Sequence, residues 1–171
     1  DYDFWTGPAQ MMPFNPCRFH MNWRWNYNTG GGQLMDWICH HCDIAHWGLA
    51  NPKYGCGPDD AVGPLTVSAT AEFPPKDAVW NTATRYRVEC VYPNKVDVVI
   101  AGGYDEIKSG AKWYGPNGWV RVTRGTIDAS DKQWIREIQD REKKGDLDIQ
   151  LYKSPGHHQE FLDCVRSRKR T

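Results

Sequence analysis

Between Leu65 and Ala129 the chain is rich in β-branched and aromatic residues cut into short runs by turn sequences, and this stretch decides the fold class. Leu65–Glu72, Thr82–Tyr92 and Lys95–Ala101 read as strands. In the second, Tyr86, Val88, Cys90 and Tyr92 alternate with Arg87 and Glu89, the pattern of a half-buried strand. Pro93-Asn94 sits between two runs and reads as a hairpin turn. Gly115-Pro116-Asn117-Gly118 is another turn, followed by a strand over Trp119–Ala129. Strands linked this closely pair antiparallel. With helical patterns on both sides, the expectation is an α+β fold: one open, mainly antiparallel sheet with helices packed on one face. The other face would then meet a second copy of the chain, making a homo-oligomer.

Residues 1–29 read as loop with short ordered pieces, since Pro8, Pro13 and Pro16 break any long helix. Gly30-Gly31-Gly32 opens a segment of helical period in which Leu34, Ile38, Ala45 and Leu49 share one face and Gly48 weakens the last turn. From Asn51 to Pro64, Gly and Pro recur and indicate a long loop. A third pattern starts at Ser130, which with Gln133 fits a capping box, carries Trp134, Ile135 and Ile138 as a buried stripe, and stops at Gly145. The last helix runs from about Gly156 with Phe161, Leu162 and Val165 inward, and closes on Arg166, Arg168, Lys169 and Arg170. No internal repeat is visible.

A chain of 171 residues has room for one core or two small ones. Its 21 basic and 21 acidic residues cancel, so no global field draws in nucleic acid or an anionic membrane. No apolar run reaches the roughly 18 residues of a membrane span, and no secretory leader is visible. The chain opens on Asp1 rather than Met, as expected of a processed or truncated piece. The nine tryptophans include four between Trp23 and Trp47, which implies either a wet aromatic ligand surface that sugars could stack on or an aromatic-rich core. The six cysteines are irregularly spaced and read as mostly reduced and buried.

Chemistry concentrates on the first long helix. Asp36, His40, Asp43 and Trp47 fall at steps of four, three and four, forming one stripe across the helix from much of the apolar face. A histidine with a carboxylate one turn before and after suits a general acid/base acting on a hydroxyl, and equally an ordinary solvated polar face. Cys39 and Cys42 form a Cys-x-x-Cys that could be redox-active or half of a zinc site completed by His46 and Cys56, though two packed thiols fit the crowded helix better. His157-His158 has no ligand partner at metal spacing. The triple glycine follows a loop rather than a strand, so it is a poor match to a dinucleotide-binding loop.

The run from Gly30 to Leu49, a glycine run followed by Asp-x-x-x-His-x-x-Asp, resembles the second domain of the glucose–fructose oxidoreductase/inositol dehydrogenase (Gfo/Idh/MocA) family. The opening Asp1-Tyr2-Asp3-Phe4-Trp5-Thr6-Gly7-Pro8-Ala9, Phe14-Asn15-Pro16, Asn22-Trp23-Arg24-Trp25, Gly115-Pro116-Asn117-Gly118-Trp119 and the stretch Phe161–Lys169 are similar to landmarks of its bacterial putative-dehydrogenase branch.

That resemblance implies a substrate-binding and oligomerisation domain of a nicotinamide-dependent dehydrogenase acting on a sugar or polyol. It makes His40 the proton-exchanging residue, with Asp36 orienting the same hydroxyl. Asp43 matches a position that contacts substrate hydroxyls, and His20, Arg24 and Trp25 of the pre-helix loop join it as candidate substrate contacts. It further implies that NAD or NADP is held by an N-terminal Rossmann domain lying outside this chain, so the chain itself, a single domain over residues 1–171, should bind no cofactor, hold no metal and be inactive alone. Two other readings stay open: a non-catalytic carbohydrate-binding domain using the tryptophans, and a zinc-stabilised interaction module built on Cys39 and Cys42. The compartment, the cytoplasm or periplasm of a bacterium, is left open.

Overall fold

The computed structural model describes residues 1–49, 63–93, 96–149 and 153–169, in two compact units, Asp1–Ser130 and Asp131–Thr171. The first unit opens with a one-turn helix, α1 (Tyr2–Thr6), whose N-terminal amides at Asp3 and Phe4 donate to the Asp1 carboxylate. Tyr2 and Trp5 then gather with Phe14 and Phe19 into an aromatic cluster, the Trp5 and Phe19 ring centres lying 4.4 Å apart. Two 3-10 helices follow, η1 (Pro16–Arg18) and η2 (His20–Trp25). These are the short ordered pieces expected among the prolines.

Asn26 ties this segment down. It is 2% exposed, its amide donates to the Val79 carbonyl, and its side-chain oxygen accepts from the Asn28 amide. The long helix α2 (Gly32–Leu49) begins at the end of the glycine run, and Leu34, Ile38, Ala45 and Leu49 on its apolar face are half-buried.

The β region departs from expectation in one respect. It forms two three-stranded sheets, not one. The first pairs β1 (Thr66–Glu72), β2 (Arg85–Val91) and β3 (Asp97–Gly102), and the second β4 (Ala111–Gly115), β5 (Gly118–Thr123) and β6 (Thr126–Ala129). Every pairing is antiparallel and both sheets are open, in keeping with the α+β class. The expected strand over Trp119–Ala129 is split because Arg124 and Gly125 make a two-residue turn, with Gly125 at φ 73°, a left-handed backbone that suits glycine. The turn at Gly115-Pro116-Asn117-Gly118 links β4 to β5 as read. The Pro93-Asn94 turn and the loop from Asn51 fall largely outside the described residues.

In β2 the alternation holds: Tyr86 and Cys90 are buried, as is Tyr92 just past the strand, while Arg87 and Glu89 are exposed and paired with each other at 2.9 Å. Helix α2 contacts both β3 and β4. On its inner side His46 Nε2 and the Tyr92 hydroxyl share a 2.6 Å hydrogen bond.

In the second unit, α3 (Lys132–Lys144) is capped by Asp131, whose carboxylate accepts from the Gln133 amide at 2.8 Å. Ser130, expected in that role, is occupied elsewhere: its hydroxyl accepts from the Trp119 amide. Gly145 ends α3 as read. The apolar stripes are less buried than expected. Trp134 and Ile135 are half-buried, Ile138 is exposed, and on α4 (His157–Ser167) Phe161, Leu162 and Val165 are all exposed.

Candidate active site

One face of α2 carries Asp36, His40, Asp43 and Trp47, of which Asp36 is half-buried and the other three are exposed. The preceding 3-10 helix is folded tightly against the start of α2. Its closeness depends on the glycine run: a Cβ at Gly30 would stand 2.8 Å from the Arg24 Cα, and one at Gly32, whose φ is 70°, 2.7 Å from the Thr82 side chain. This approach delivers Arg24 to Asp36. The Arg24 Nε donates to Asp36 Oδ1 at 2.7 Å, its Nη1 donates to the Met21 carbonyl at 3.2 Å, and its guanidinium lies 5.2 Å from the Trp23 ring centre. The pair is about three-quarters buried on the Arg24 side, with side-chain exposure of 25% and 31%.

His40 stands one helical turn beyond Asp36. The Trp37 ring is beside it, edge to face at 5.4 Å, and stacks on His41 at 5.5 Å. Arg124, from the β5–β6 turn, covers the same indole at 5.6 Å. Burial holds the His41 imidazole below its ordinary pKa, and the charges of His40 and Arg124 push it the same way. Such a surface can bind a hydroxylated ligand against Trp37, hold a carboxylate in fixed orientation at Asp36, and move a proton at His40.

The other candidates are spread around it. Asp43 is a further turn along from His40 on the exposed face. His20 begins η2 at φ 54°, a backbone seldom adopted by a side-chain-bearing residue, and its side chain is exposed. Trp25 is half-buried, and its carbonyl accepts from the Asn81 and Thr82 amides, which makes it a seam between η2 and the segment before β2. Arg24 is therefore the member of that loop trio that the structure joins to the Asp36–His40 stripe.

The thiols correct one expectation. Cys39 is exposed and Cys42 half-buried, with only Cys90 buried among the described cysteines. Burial raises the Cys42 pKa, with Cys90 and Cys39 adding to the shift. Among the described residues no group of three or more His, Cys, Asp or Glu side chains is placed to hold a metal ion, and His46 is bonded to Tyr92. Cys56, the further thiol of the zinc reading, lies outside the described residues.

None of the nine tryptophans is fully buried, so they form no aromatic core, and Trp47 is 59% exposed. Trp37 and Arg124 were missed as site residues by sequence reasoning. Trp37 carried a signal, since it adjoins Asp36 in the motif; Arg124 carried none, because the reading ran one strand through the turn that presents it.

A family model described as the C-terminal alpha/beta domain of an oxidoreductase family, GFO_IDH_MocA_C2, matches residues 1–171. The chain is a Gfo/Idh/MocA C-terminal domain. No curated protein and no solved structure matched this C-terminal domain. In the Gfo/Idh/MocA C-terminal domain seen here, the space in front of Gly30 and Gly32 is filled by Arg24 and Thr82, and that in front of Gly31 by Met35. These glycines are thus accounted for by close packing against the Arg24 backbone, Thr82 and Met35.

Proposed function

We propose that this domain supplies the substrate-binding and acid/base half of an oxidoreductase acting on a hydroxyl of a sugar or polyol. The ion pair between Arg24 and Asp36, one turn from an exposed His40, carries the reading. His40 exchanges the proton of the reacting hydroxyl. Asp36, held by one oxygen on Arg24, keeps its second oxygen for that hydroxyl or for the imidazole. Arg24 thus positions Asp36 and does not itself react. Asp43 and Trp37 border the space a polyol would occupy, and His20 and Trp25 belong to its approach through η2.

NAD or NADP belongs, in this reading, to a separate dinucleotide-binding domain of the whole enzyme, and the open sheets supply contacts between copies. The test uses the whole enzyme with a panel of sugars and polyols and both nucleotides. His40→Asn should lower turnover by about 100-fold to 10,000-fold, the usual share of a positioned acid/base, with nucleotide affinity unchanged. Full turnover in that variant would remove the proposal.

A further inference from the structure

We infer that the cavity between Trp5 and Trp23 is a second sugar-ring subsite, so that the substrate is a glycoside or oligosaccharide and not a free monosaccharide. The inference rests on the acid/base reading of Asp36 and His40, because it extends that site by one ring.

The cavity is an open cleft of about 470 Å³, within the usual volume range for small-molecule sites, and its walls include Trp5, Trp23, Thr6, Pro8, Asn28 and Thr29. Charge is missing from this lining, which disfavours phosphates, carboxylates and ammonium groups. Both indoles are partly open, Trp5 at 37% and Trp23 at 39% exposure. Neither indole N–H has an acceptor among the described residues. A flat apolar face with a donor on its edge, beside hydroxyl and amide groups, matches the C–H face and hydroxyl rim of a sugar ring.

The walls are pre-set, which lowers the ordering cost of binding. Trp5 is backed by Phe19, and the Asn28 side chain is clasped to the Gln10 backbone by bonds of 3.0 and 2.7 Å. The Thr29 hydroxyl donates to the Trp23 carbonyl at 2.8 Å and keeps lone pairs for a ligand. The position matters as much as the chemistry. Trp23 also touches the Arg24 guanidinium, and Arg24 holds Asp36, so the cavity starts one residue from the group that positions the reacting end.

The experiment records nitrogen–proton spectra of the whole 171-residue chain with maltose, cellobiose and lactose, and with glucose and galactose as single rings. At least one disaccharide should bind about tenfold tighter than its component rings, the worth of one good aromatic contact, and should move the Trp5 and Trp23 indole signals together with the His40 ring. Trp5→Ala, which leaves the Trp23 contact with Arg24 in place, should erase that advantage while leaving single-ring binding at His40 intact. The Trp80 indole, which donates to the Cys17 carbonyl at 2.9 Å, reports whether the variant keeps its fold. If it does not, Trp5→Phe keeps a ring on the same backbone and should retain part of the advantage. Silent indoles with all three disaccharides, or equal affinity for one ring and two, overturn the subsite while leaving the acid/base reading in place. Indoles that respond while His40 stays silent support the cavity as a sugar site and remove the acid/base reading instead.

Discussion

The Trp113 indole lies against the backbone of Gly48: a Cβ added there would come within 2.6 Å of the Trp113 Nε1. Helix α2 therefore touches β4 through a glycine chosen for thinness. In an isolated helix, alanine for glycine gains about 1 kcal/mol. Here Gly48→Ala should instead destabilise by about 1–3 kcal/mol, the usual cost of forcing extra volume into a packed contact. Thermal unfolding of the two proteins gives the sign, and a higher melting temperature in the variant would show that Trp113 moves aside freely.

Arg24 and Asp36 should be coupled, but weakly in energy. Each keeps a quarter to a third of its side-chain surface in water, so a double-mutant cycle of Arg24→Met and Asp36→Asn should return roughly 0.2–1 kcal/mol. Turnover of the whole enzyme should respond far more than stability, since losing Arg24 frees the Asp36 carboxylate to rotate. Chemical denaturation and initial rates on the same four proteins separate the two effects.

The depressed His41 fixes a pH dependence. The unfolded chain binds a proton at the ordinary histidine pKa and the folded chain only at lower pH, so unfolding takes up protons between the two values. Stability should accordingly be full above about pH 6.5 and fall as the pH drops below it. His41→Gln should flatten this slope. Denaturant melts at several pH values measure it, and parallel curves for both proteins would mean that His41 titrates alike folded and unfolded.

Thiol labelling should be ordered by environment. Cys17 and Cys39 are exposed, whereas burial keeps Cys42 and Cys90 protonated to higher pH. Iodoacetamide at about pH 8, followed by peptide mass spectrometry, should therefore modify Cys17 and Cys39 well before Cys42 and Cys90. Faster reaction at Cys42 would mark it as an activated thiol and revive a redox role for the Cys-x-x-Cys.

Much of this fold was legible because its signals are local. The 3.6-residue period of α2, the alternation around Tyr86 and Cys90, and the turn at Gly115–Gly118 each fit inside one segment. The division into two sheets was not, because strand runs alone do not say which strand pairs with which. Ser130 and Asp131 are adjacent, and either could cap a helix; the choice went to Asp131 because the Ser130 hydroxyl bonds to Trp119, far away in sequence. At the site, Asp36 and His40 could be placed by counting residues. The link from Arg24 to Asp36 spans a loop, and that from Arg124 to Trp37 joins a β-turn to a helix, so both needed three dimensions.

The contact of Gly30 with the Arg24 backbone has a consequence for genetics. Any larger residue at position 30 must push η2 off the start of α2, and Arg24 travels with η2. On the proposed acid/base reading, a screen for lost activity would score Gly30 beside Asp36 and His40, through the displacement of Arg24. A scan of mutations read without the structure would then count this glycine among the reacting groups, whereas its packing gives it the task of seating η2.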